Sequence, residues 1–294
     1  MDNQETILQQ NAIICNLVIP CWTGRIKLPE MDSKFKRDHG IDTHVELSST
    51  FVKLLGSGTD LLDELRSISK KARAVHQKFV ICTMGSNAQY SDKLISVHAM
   101  GKVTRALEDL KSDWDGRLAD FLNSYEQLRA DAIVEYQGVL SDNHFLTVEQ
   151  VSLKFGWSLD IRPLPNSNAF DNKLGSREAE EEIKKSTINS FKETHNKGLE
   201  NLFAKTTEFI QNINNQSKGI KGIADSTLDN FAEFLSILPD LNIFGDKTIA
   251  KAYEDAKQLL KYDASATNDQ SVKDELAHKS QSILDDLNQF YGGK

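Results

Sequence analysis

The chain has 294 residues, 39% hydrophobic and 27% charged, which is enough apolar content to bury a core and too much for a disordered chain. No apolar run approaches the roughly 20 residues that cross a bilayer, and Met1 to Glu5 lacks the basic start of a signal peptide, so a cytosolic protein is expected. The formal charge is −8, with −5 of it in residues 176–294, and an acidic chain is repelled overall from phosphate backbones.

In chain order, residues 13–28 come first. Ile13, Cys15, Leu17 and Ile19 alternate with Ile14, Asn16, Val18 and Pro20, and after Thr23 and Gly24 the pair Ile26 and Leu28 alternates with Arg25 and Lys27. This predicts a strand, a turn and a second short strand. The polar stretch Glu30 to Asp42 predicts a loop, and Leu47 to Leu55 a short helix ended by Gly56 and Gly58. Thr59 is placed to cap a helix through Leu61, Leu62, Leu65, Ile68, Ala72, Val75 and Phe79, and Ser91 a long helix toward Val139.

The long helix carries Leu107, Leu110, Trp114, Leu118, Phe121, Tyr125, Leu128 and Ala132 at spacings 3-4-4-3-4-3-4. Ile188, Phe191, His195, Leu199, Leu202, Thr206, Phe209 and Ile213 repeat that spacing in a second long helix capped at Ser176. Stripes of this kind must be covered, and the simplest cover is each other or a second copy; two ordinary amphipathic helices of a bundle fit the pattern equally well. Asp120, Arg129, Lys197 and Lys205 are read as outward-facing.

Between the long helices, Thr147 and Gln150 have capping-box spacing, and Trp157, Leu159 and Ile161 alternate with Ser158, Asp160 and Arg162 before Pro163 stops the run. A lone strand leaves its backbone unpaired, so residues 157–162 are expected to pair with 13–28. Leu228 to Leu238, Lys247 to Tyr262 and Ser271 to Tyr291 form an acidic helical tail, net −6 over residues 223–294. The expected fold is mainly α: long hairpin-like or coiled-coil-like arms on a small β base, with further short C-terminal helices. Residues 1–175 are read as one part, with helices 47–139 inserted in the base, and residues 176–294 as a second.

Little of the chemistry a spacing can reveal is there. The three cysteines include no CxxC pair, so neither a disulfide framework nor a zinc site is indicated. His39 and His44 beside Asp38 and Asp42 are read as a solvated loop, and Gly56-Ser57-Gly58-Thr59 lacks the lysine of a phosphate-cradling loop. No GxSxG elbow occurs, and the carboxylates at Asp109, Asp113, Asp120 and Glu178 to Glu182 are read as solvated faces. No cofactor is expected, and no catalytic or metal residue is assigned. The one concentrated feature is basic: Arg66, Lys70, Lys71, Arg73 and Lys78 without an intervening acid, with Arg66, Lys70, Arg73 and Gln77 on one helix face. Such a face grips an anionic partner, whether a phosphate backbone or an acidic protein surface, including the chain's own acidic tail. Read as exposed, these cations are expected to be reversible without loss of the fold.

The block from Asn16 to Glu30, with Trp22, Thr23, Gly24, Arg25, Lys27 and Leu28, together with Phe155, Gly156, Trp157 and Pro163, resembles a family of bacteriophage and prophage proteins of uncharacterised function. These begin with a strand ending in a W-T-G-R-x-K-L type motif and carry an F-G-W strand near their middle, and the similarity spans roughly residues 12 to 170. The family is often encoded beside MoxR-type AAA+ ATPases, which implies a partner or substrate role in an ATPase system and a bacterial cytoplasmic setting. No catalytic residue follows from it. The expected function is thus non-enzymatic protein–protein assembly, through a protein partner or self-association and without a membrane. Nucleic-acid handling by the Arg66 to Lys78 face is the alternative, and an enzyme with a site that spacing does not reveal is the third reading.

Overall fold

A computed structural model describes residues 3–27, 51–55, 59–85, 91–137, 139–166 and 176–291. The chain is mainly α with a small β base. In order it forms α1 (Asn3–Asn11), β1 (Ala12–Val18), β2 (Arg25–Lys27), β3 (Phe51–Lys53), α2 (Asp60–Phe79), β4 (Val80–Met84), β5 (Asp92–Ser96) and α3 (Met100–Glu135). Then follow α4 (Val148–Ser152), β6 (Ser158–Arg162), α5 (Arg177–Ser217), α6 (Asp225–Leu241), α7 (Lys247–Lys257) and α8 (Gln270–Tyr291).

The chain divides into two compact units, one of residues 1–16, 77–103 and 160–294 and the other of residues 17–76 and 104–159. β1, α2, α3 and β6 each contribute residues to both units. The Glu30 to Asp42 loop, the His39–His44 cluster and Gly56 to Gly58 lie outside the described residues.

The four-stranded sheet has the order β4-β5-β1-β6, so β1 does neighbour β6 as the sequence requires. Two strands of this sheet were not anticipated. Val80–Met84 follows α2 without a break in hydrophobicity, and Asp92–Ser96 occupies the start assigned to the long helix. The antiparallel β1–β5 register sets Ile13 against Ile95 and Ile14 against Leu94. A bulge between Val80 and Cys82 interrupts β4 against β5. Ser96 then caps a short 3-10 turn, from which α3 starts at Met100. The second strand read in 13–28 belongs elsewhere: β2 pairs with β3 in its own ribbon, Ile26 opposite Val52, where a short helix was expected over 47–55.

Each long helix finds cover for its apolar stripe inside the unit that holds most of it. In the unit of residues 17–76 and 104–159, the α3 stripe Trp114, Phe121 and Tyr125 is buried under aromatic rings from two distant segments. Trp22 lies 6.3 Å from Phe121 and 5.9 Å from Tyr125, Phe155 lies 5.5 Å from Phe121, and Trp157 lies 5.8 Å from Trp114. These tilted and edge-on pairs stabilise beyond their buried area. Gly156 donates its N–H to the Pro20 carbonyl, and a side chain there would press on the Pro20 ring at 3.1 Å. The anticipated Thr147–Gln150 capping box is present.

In the other unit, α5 packs chiefly on α8, with β4, α1, α6 and α7 completing its surroundings. Phe209 stacks on Phe234 and Phe203 on Tyr291, each at 4.3 Å. The buried row runs through Gly198 where Leu199 was expected, because the ring of Phe244 fills that groove; a Cβ at Gly198 would meet it at 2.4 Å. Lys205, read as outward-facing, is half-buried and donates to the Val80 carbonyl at 2.9 Å, beside Asn201, which donates to the Ile81 carbonyl. Burial holds the Lys205 ammonium below the ordinary lysine range. These two side chains satisfy backbone acceptors on β4, an edge strand of the sheet.

Two outcomes follow. Phe121→Ala should cost about 3 to 5 kcal/mol and Asp120→Ala within about 0.5 kcal/mol in denaturant melts; equal effects would refute the aromatic core. Gly198→Ala should destabilise by about 1 to 3 kcal/mol, and adding Phe244→Ala should cost less than the two singles summed, since the clash is then gone.

Candidate basic cleft on helix α2

Helix α2 buries Leu62, Leu65, Ser69, Ala72, His76 and Phe79, the 3-4-3-4-3 row of a helix with one face inward. Arg66, Lys70, Arg73 and Gln77 directly follow Leu65, Ser69, Ala72 and His76, so the basic row borders the buried one. That placement lets two guanidinium groups turn back onto the segment entering β2. Arg73 Nη2 donates to the Ile19 carbonyl at 2.5 Å, Arg66 Nη2 donates to the Thr23 carbonyl, and Arg66 Nη1 pairs with Asp63 at 2.6 Å. Gly24 follows directly after Thr23 in a left-handed conformation: its φ is +56°, and a Cβ would lie 2.8 Å from Leu62 Cδ2.

The five cations therefore do not act alike. Lys70 and Lys71 are exposed and form no hydrogen bond or ion pair among the described residues. Lys78 donates to both carboxylate oxygens of Glu233 at 2.6 Å, so the chain's own acidic C-terminal part takes that cation. Arg66, Lys70 and Arg73 remain together around an open cleft of 440 Å³, with Asp63, Ser67 and Cys21. Cys21 has no sequence signal for this place, since it meets α2 only through the fold. Burial pushes its thiol above the ordinary range, against the opposing pull of Arg66 and Arg73.

Outside the cleft, Cys15 and Cys82 are buried and pushed up to about 11, burial being the main cause. Asp109, Asp113 and Asp120 are solvated as read. Among the described residues, no group of three or more His, Cys, Asp or Glu side chains is placed to hold a metal ion, and no helix is long and apolar enough to cross a membrane. Comparison with models of known protein families, with curated proteins and with solved structures found no match.

Sequence alone leads to the expectation that reversing Arg66, Lys70 and Arg73 together spares the fold; since two of the three hold backbone carbonyls, the reversal should instead lower stability. Arg73→Ala should lower stability by about 1 kcal/mol and Lys70→Ala by within about 0.5 kcal/mol, measured by urea melts. At pH 8 a thiol-specific reagent should modify Cys21 in the native protein and leave Cys15 and Cys82 intact until denaturant is added, since both remain protonated and buried. Rapid native modification of all three would contradict their placement.

Proposed function

We propose that this chain is a non-enzymatic assembly protein of the phage type, acting by protein–protein contact, with a MoxR-type AAA+ ATPase as its partner. The observation that carries this reading is the use made of the residues behind the resemblance. Trp22, Phe155 and Trp157 pack around α3, Gly24 makes a left-handed turn against Leu62, and Gly156 bonds Pro20. These residues are used for packing, so on this reading the activity lies in the surface that they support.

Among its described residues the same unit leaves three large apolar side chains in solvent, and the two most exposed are Val134 at 77% near the end of α3 and Leu153 at 83% just after α4. On this reading these two side chains belong to the surface that the partner covers. The nucleic-acid alternative has less support, because Lys78 is taken by Glu233 and Arg66, Lys70 and Arg73 line one cleft, which leaves no long row of free cations for a strand.

The test is capture of a purified MoxR-type ATPase from the same genome, with mass in solution measured for the protein alone and in mixture. The wild type should bind, and Val134→Glu with Leu153→Glu should weaken binding at least tenfold while leaving the melting temperature within a few degrees. A monomer that binds no ATPase, or a double variant that binds as well as the wild type, would count against the proposal.

A further inference from the structure

The α2 cleft has a chemistry that the assembly reading does not use. Three cations face it against a single carboxylate, and that carboxylate, Asp63, is already paired with Arg66. The two guanidinium groups do not swing freely. One nitrogen of Arg73 is fixed by the Ile19 carbonyl and one of Arg66 by the Thr23 carbonyl, so both forks are oriented before any ligand arrives. Each guanidinium has five N–H donors, and these bonds leave donors on both. Both side chains line the same cleft as Cys21, and both charges oppose the upward push of burial on its thiol. Lys70 lies between Arg66 and Arg73 in sequence on the same helix face, with three donors and no partner among the described residues.

We infer that this cleft binds a compact phosphate dianion, either the free ion or the phosphate of a small monoester. Convergent forks fixed by backbone suit a compact group with three acceptor oxygens and a double charge, whereas a nucleic-acid strand needs cations spread along its length. The volume of 440 Å³ admits the phosphate with part of the group it is attached to. Arg66 and Arg73 supply oriented donors, Lys70 closes from the open side, and the Ser67 hydroxyl at the rim adds a neutral donor.

The experiment is titration of the full-length protein with inorganic phosphate and with adenosine monophosphate, followed by calorimetry and by amide chemical shifts of residues 63–73. Both probes should shift these amides, and Lys70→Glu should weaken binding about tenfold or more, as expected for a lost charge-assisted contact. Lys71→Glu, next in sequence but outside the cleft, should leave it unchanged, and both variants should melt like the wild type. Free phosphate binding as tightly as the monophosphate would identify the source as the inorganic ion, and tighter monophosphate binding would identify an organic ester; either outcome supports the site. No shift with either probe, equal loss in Lys71→Glu, or a single-stranded oligonucleotide that binds far more tightly with affinity rising with its length would overturn the inference. These readouts are independent of ATPase capture, so the two proposals fail separately.

Discussion

The packing of Trp22 and Phe155 on Phe121 is the contact on which the rest of its unit depends. Phe121 is fully buried on α3, and the rings that cover it come from segments about a hundred residues behind it and some thirty ahead. Once Trp22 is seated, the backbone from Ile19 to Gly24 is held in place, and its carbonyls become fixed acceptors. Arg73 and Arg66 bond to those carbonyls, so the orientation of the basic cleft follows from aromatic packing on a different helix. Loosening the core would therefore disturb the site without touching any residue in it.

The other unit solves a different problem. A sheet that ends in β4 presents carbonyls that would otherwise seek another strand, and α5 answers with Lys205 and Asn201. The ammonium of Lys205 is partly desolvated for this purpose, and burial is the dominant influence on its proton affinity. A surface lysine would have stayed in water; here its charge is more useful against a backbone dipole.

How much of this was legible in the residues depended on size and distance. The α3 stripe was readable because Trp114, Phe121 and Tyr125 are large and periodic, and the pairing of β1 with β6 followed from the need to satisfy a lone strand. Val80 to Met84 was hidden because its apolar run continues that of α2, and Asp92 to Ser96 because a serine before a helix reads as its cap. Gly198 was invisible as a core position, since a groove filled by the ring of Phe244 leaves no apolar letter on its own helix. The basic face stood out as charge, but its division into fixed and free cations did not. The partners of Arg66 and Arg73 are backbone carbonyls, which every residue has.

The strand order also constrains how the protein is made. β1 ends at Val18, while its neighbours β5 and β6 begin at Asp92 and Ser158. During synthesis at roughly 5 to 20 residues per second, β1 waits on the order of ten seconds or more between its own emergence and that of β6. For that interval Ile13, Ile14 and Leu17 lack half of their sheet, so the nascent polypeptide depends on whatever holds an apolar strand in solution near the ribosome. Codon choice between residues 18 and 158 would set the length of that exposure without changing a single atom of the folded protein.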